Sequence, residues 1–180
     1  MERNLALVAM FAALIAALGL IPKLTLGFGV PITAQTMGVM LCGTVLGARR
    51  GALAVLLFLA LVALGLPLLA GGRGGLGVFA TPSVGFLVGW PVAAFVTGFI
   101  VERWNGNLAV VSAVASVLGG IVVLYGFGVV GMSVMLDKTL AEAALLVTAF
   151  IPGDVIKAVL AGGITSGLAR ARPDSILSRG

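Results

Sequence analysis

The stretch WNGNLAVVSAVASVLGGIVVLYGFGVVGMSVML, from Trp104 to Leu136, contains no Lys, Arg, Asp or Glu. A helix needs about 20 apolar residues to cross roughly 30 Å of hydrocarbon, so this run is long enough to span a membrane with residues to spare. It shows no polar alternation of period 2, which argues against a transmembrane barrel strand. Gly126, Gly128 and Gly131 lead us to expect an irregular end to the helix.

Outward from this run, charges and turn residues mark five more apolar segments: 4–22, 24–48, 51–72, 74–101 and 139–169. In the second, Gly27, Gly29 and Pro31 should keep the beginning non-helical, leaving a short helix from about Thr33 to Leu46. The whole chain is 61% hydrophobic and carries 11 Lys plus Arg and 6 Asp plus Glu in 180 residues. A water-exposed surface cannot be built from so few charges, and the mean hydropathy of +1.24 agrees. Soluble-enzyme, nucleic-acid-binding and disordered readings are excluded. The fold class is an all-α integral membrane protein with six transmembrane helices, forming one domain over residues 1–170 with a polar, mobile tail at 171–180.

The net charge of +5 belongs with the membrane reading, because excess cations flank the cytoplasmic ends of spans. With the amino terminus inside, Arg3, Arg49, Arg50, Arg103, Arg170, Arg172 and Arg179 fall on the inner side. Lys23, Arg73 and Lys138 fall outside. Both termini are therefore expected in the cytoplasm. The first run is read as a span and not a signal peptide, since Leu18-Gly19-Leu20-Ile21-Pro22 is a poor cleavage site.

Lys157 lies within the sixth run, three residues after Asp154. Each would cost about 2.5 to 3.5 kcal/mol near the bilayer centre if it faced lipid. Both should face protein or water, and at i and i+3 they share a helix face. Either they form an internal ion pair that fixes packing, or they belong to a polar ligand site. Pro152 and Gly153 should open the backbone just before them.

Further candidates surround this pair. The loop Gly71-Gly72-Arg73-Gly74-Gly75-Leu76-Gly77 lets backbone approach a ligand closely, and Arg73 can pair with an anion. Its formal G-x-G-x-x-G lacks the strand-turn-helix context of a dinucleotide fold. Thr33, Gln35 and Thr36 place hydrogen-bonding groups at a helix start, where Thr33 also suits an N-cap. Ala9, Ala13 and Ala17 form a small-residue stripe on the first helix, open to internal packing or to docking of another subunit. Gly85 and Gly89 read as an internal close contact.

Some chemistry is absent from the sequence. There is no histidine, and Cys42 is the one cysteine, so disulfides, multi-Cys zinc sites and Ser-His or Cys-His catalysis are excluded. No lysine follows a glycine, so there is no Walker A motif and no expectation of ATP hydrolysis. No carboxylate cluster suggests a metal, and no cofactor is expected.

Several of these segments together resemble the BioY family. They are Val30-Pro31-Ile32-Thr33-Ala34-Gln35-Thr36-Met37-Gly38-Val39-Met40, Gly47-Ala48-Arg49-Arg50-Gly51-Ala52-Leu53, Gly65-Leu66-Pro67, the loop Gly71 to Gly77, and Gly153-Asp154-Val155-Ile156-Lys157. The likeness runs from about residue 5 to 168. After the glycine loop the family often reads Pro-Thr-Gly-Gly-Tyr, whereas this chain has Pro82-Ser83-Val84-Gly85-Phe86. BioY proteins are biotin-specific, substrate-binding S components of energy-coupling factor (ECF) transporters.

The resemblance implies an S-component fold in a bacterial cytoplasmic membrane, a non-catalytic role, and capture of biotin near the outer face. It also implies partners: a transmembrane coupling subunit (the T component) and two cytoplasmic ATPase subunits, with Ala9, Ala13 and Ala17 matching the docking stripe. Homo-oligomerisation stays open. Biotin's ureido ring offers two N–H donors and one carbonyl acceptor, which an accepting Asp154 and a donating Lys157 would complement. Its carboxylate would suit Arg73, and Thr33 and Gln35 could complete the polar shell. Exchanging the ends of the ligand would give Lys157 the carboxylate. The rival readings are an S component for thiamine or riboflavin, an intramembrane enzyme using Asp154 and Lys157 as an acid–base pair, and a structural membrane subunit.

Overall fold

The computed structural model describes residues 2–179. Among these residues eight α-helices make six passes through one bundle. Helix α1 spans Glu2–Leu18, α2 Gln35–Leu46, α3 Ala48–Ala63 and α4 Val84–Arg103. The fifth pass is α5 (Leu108–Val117), a widened π turn at Leu118–Val123, and α6 (Leu124–Leu136). The sixth joins α7 (Leu140–Val147) to α8 (Ile151–Ala171) through a tight 3-10 turn at Thr148–Phe150. The passes Val84–Arg103, Leu108–Leu136 and Leu140–Ala171 are each long and apolar enough to cross a membrane.

One contiguous core draws on every pass, with Ile15, Met40, Phe58, Leu124 and Met132 wholly enclosed. The outer faces are equally apolar: Leu56, Val88, Val122 and Val159 are each at least half exposed. In water such a surface would drive association, whereas hydrocarbon is its natural solvent. Close packing in lipid favours small residues, and α4 meets α6 at Gly85 and Gly131. A Cβ on Gly131 would lie 2.6 Å from the Gly85 nitrogen and Cα. At Gly89 an added Cβ would lie 2.8 Å from Phe127 Cβ, so this pair does serve internal packing.

Several boundaries differ from the expected ones, each for a local reason. Helix α3 begins at Ala48 and not after Arg50, because Gly47 turns the chain at φ +84° and the Ala48 N–H donates to Glu102 Oε1 at 2.8 Å. It ends at Ala63, where Gly65 at φ +105° and Pro67 stop it. Helix α2 begins at Gln35 and not Thr33; the cap position is Ala34, although Thr33 Oγ1 accepts from the Gln35 N–H at 3.3 Å. Before it, β1 (Leu24–Thr25) and β2 (Pro31–Ile32) pair antiparallel.

The end of the fifth pass is regular through Gly126, Gly128 and Gly131. Its irregularity lies earlier, at Gly119 and Gly120, where the π turn presses on Thr97 and Met40. In the sixth pass the break precedes Pro152, which sits in the first turn of α8 where its missing N–H is tolerated.

The carboxyl-terminal segment folds back instead of trailing. Ile176 is buried, Ser178 Oγ donates to the Thr44 carbonyl at 2.6 Å, and Arg179 donates to the Trp104 carbonyl at 2.8 Å. Arg3 lines the same recess as Asp174 and Arg179, so both chain ends meet at one end of the bundle. The end of α1, the start of α2 and the loop after α3 meet at the other.

Candidate ligand site

At that second end a partly open cavity of about 50 Å³ lies between α2, α4, α6, α8 and the adjoining loops. Pro31, Ile32, Phe86, Leu124 and Phe150 supply apolar walls. Phe150 packs edge-on against Phe28, Phe86 and Tyr125, with centroids 5.7 to 6.4 Å apart. The tight turn before α8 thus places an aromatic wall beside the polar pair that follows.

Asp154 and Lys157 meet in this cavity, with Lys157 Nζ 2.7 Å from Asp154 Oδ1 and both side chains largely buried. Thr36 on α2 completes a three-way cluster. It accepts from Lys157 Nζ at 3.0 Å and donates to Asp154 Oδ1 at 3.3 Å. The second carboxylate oxygen, Oδ2, accepts from Tyr125 at 2.8 Å. Two buried charges are tolerated only when their remaining lone pairs and protons find partners, and three helices supply them here.

Arg73 also lines the cavity. Its backbone pairs with Leu69 in both directions, at 3.0 and 3.2 Å, and Gly71, Gly72 and Gly75, all at positive φ, let the loop fold this tightly. Arg73 Nε reaches the Ala70 carbonyl at 3.4 Å, and no carboxylate pairs with the guanidinium among the described residues. Partial burial lowers its pKa from the usual arginine value, but it stays a cation at any physiological pH.

Gln35 is fully engaged by the main chain. Its Nε2 donates to the carbonyls of Ile15 and Leu68, both at 3.0 Å, and its Oε1 accepts from the Ala70 N–H at 2.9 Å. One amide thereby ties α1, α2 and the loop that carries Arg73. Gly19 leaves room for this knot; a Cβ there would lie 2.6 Å from the Leu68 oxygen and 2.8 Å from Gln35 Nε2. Thr33 lines the cavity at its β2 edge.

Two contributors, Tyr125 and Trp90, escaped the sequence reading. Thr36 was legible as a polar residue beside Gln35, but its pairing with α8 depends on tertiary packing. Tyr125, the one tyrosine of the chain, was hidden inside an apolar run. Trp90 lines the cavity, and its buried Nε1 has no hydrogen-bond partner among the described residues. Ser83 pairs with Thr81 at 2.8 Å at the cavity wall. Among the described residues no group of His, Cys, Asp and Glu could hold a metal.

Ala9, Ala13 and Ala17 do not line this cavity and lie on the exposed face of α1, while Val8, Phe11, Ala12 and Ile15 on its other face are buried. The stripe is therefore free of internal packing.

Comparison with known proteins places this arrangement among relatives. The BioY family model matches residues 2–174. The chain is similar to the biotin transporter BioY of Rhodobacter capsulatus, 50% identical with all of both chains covered. It is also similar to the biotin transporter BioY of Rhizobium etli, 56% identical over 88% of this chain and 89% of the relative. Its fold matches the crystal structure of the S component for biotin from an ECF-type ABC transporter, with a TM-score of 0.89 and 33% identity, over 94% of this chain and 92% of that one.

Proposed function

The chain belongs to the BioY family, and from that premise we propose that it is a biotin-binding S component, capturing biotin in the cavity around Asp154 and Lys157. The observation that carries this reading is the cluster of Asp154, Lys157, Thr36 and Tyr125 inside an otherwise apolar cavity. It offers fixed acceptors and donors where a ureido ring needs both. Asp154 accepts from a ureido N–H, and Lys157 donates to the ureido carbonyl. Arg73, held by its hairpin over the cavity, pairs with the valerate carboxylate. Thr33 and the unpartnered Trp90 N–H face the ligand's remaining acceptors. Gln35 positions the Arg73 loop instead of touching the ligand.

The protein acts without catalysis. Thr36 and Tyr125 hold the Asp154–Lys157 pair in place and leave it one acceptor site and one N–H donor for a ligand, which suits fixed recognition better than proton transfer.

The partners follow from the same reading. In this reading the cavity end faces outward and both termini face the cytoplasm of a bacterial inner membrane; the excess of arginines at the terminal end supports that orientation. The exposed Ala9, Ala13 and Ala17 face receives a transmembrane coupling subunit, which with two cytoplasmic ATPases drives release inward. Equilibrium binding of biotin to the purified protein, competed with thiamine and riboflavin, tests the assignment. Selective displacement by biotin supports it, and displacement by another vitamin overturns it.

A further inference from the structure

At the end of the bundle opposite the cavity, a recess of about 500 Å³ opens between the start of α3 and the last turns of α4. Arg49, Arg50 and Arg103 line it, and none pairs with a carboxylate among the described residues. Glu102, also in the recess, is engaged through Oε1 by the Ala48 N–H. The first turn of α3 adds its partial positive charge to the three guanidinium groups.

One wall of the recess is apolar and faces outward. Phe95 and Phe99 are 41% and 39% exposed, with rings nearly parallel and centroids 6.1 Å apart. Exposed Val88 and Val92 continue the same stripe along α4 toward the middle of the bundle. The Arg103 guanidinium sits over Phe99, 4.1 Å from the ring centroid, which holds its charge at the head of the stripe. A free anion would use the arginines and ignore the stripe. An apolar partner would use the stripe and leave three cations without counter-charge.

We propose that this recess binds an anionic phospholipid, with Arg49, Arg50 and Arg103 on the headgroup phosphate and one acyl chain along Phe99, Phe95 and Val92. Guanidinium groups match phosphate oxygens bidentately, and basic recesses at helix ends are suited to anionic headgroups. The lipid would weld α3 to α4 at the end of the bundle opposite the biotin cavity.

The test is native mass spectrometry of delipidated protein titrated with phosphatidylglycerol or with phosphatidylcholine of the same acyl chains. Wild type should retain phosphatidylglycerol preferentially. The triple variant Arg49→Gln, Arg50→Gln, Arg103→Gln should lose that preference by on the order of a hundredfold, at about 1 kcal/mol for each cation, while its biotin affinity stays unchanged. If the triple variant fails to fold, Arg103→Gln alone should show about a fivefold loss. Equal retention of the two lipids by wild type would overturn the proposal, as would undiminished retention in the variants. Displacement of the lipid by millimolar inorganic phosphate would also overturn it, showing a site for a free anion. So would a variant that binds lipid normally and fails only to join the coupling subunit.

Discussion

The Tyr125 hydroxyl donates to Asp154 Oδ2 at 2.8 Å, joining the middle of the fifth pass to the start of α8. The other carboxylate oxygen takes Lys157 and Thr36, so both oxygens of one buried Asp are oriented from three helices. The orientation of the Asp154 carboxylate therefore depends on a residue that lies in an apolar run of the sequence.

Tyr125→Phe removes this donor and leaves the ring. Hydrogen bonds to charged groups contribute about 1.5 to 3 kcal/mol, so biotin affinity should fall between tenfold and a hundredfold, as read by titration calorimetry. An unchanged dissociation constant would show that Lys157 and Thr36 orient the carboxylate without Tyr125.

Gln35→Leu should act on stability first. It leaves the Ile15 and Leu68 carbonyls and the Ala70 N–H without their partner, at about 1 to 3 kcal/mol for each buried group. The melting temperature in detergent should drop by several degrees, and Gly19→Ala, which crowds the same knot, should lower it too. A Gln35→Leu protein that melts like wild type but no longer binds biotin would make Gln35 a ligand contact after all.

Ala13→Trp places a bulky ring at the centre of the exposed α1 stripe. Biotin binding should be unaffected, while co-purification with the coupling subunit and its ATPases should be abolished. Intact assembly in this variant would move the docking surface off α1.

Trp90→Phe keeps the aromatic wall and removes the unpartnered N–H. If that N–H donates to the ligand, affinity should fall about tenfold, the size of one ordinary hydrogen bond. Unchanged affinity would assign the N–H no part in binding.

Six passes were legible because lipid exposure demands uninterrupted apolar runs, and nothing in Trp104–Leu136 could be read otherwise. Asp154, Lys157 and Arg73 were legible because a charge in an apolar sequence needs a partner or a cavity. Gln35 was legible as a buried polar group, yet sequence could not tell ligand from main chain as its partner. Its three backbone bonds join segments far apart in the chain. The irregularity expected at Gly126, Gly128 and Gly131 lies instead at Leu118–Val123, where Gly119 and Gly120 pack closely on Thr97 and Met40, a contact between distant segments. The return of Ile176 and Ser178 onto the bundle was equally hidden, since a short polar tail carries no periodic pattern.

The most direct test of the account is biotin binding by wild type and Asp154→Asn side by side, each shown folded by its thermal transition. The account predicts tight, biotin-selective binding by wild type and at least a tenfold loss in Asp154→Asn, because the substitution replaces one acceptor oxygen with a donor and removes the charge paired with Lys157. Equal affinity in the two folded proteins, or no binding by folded wild type, would contradict it.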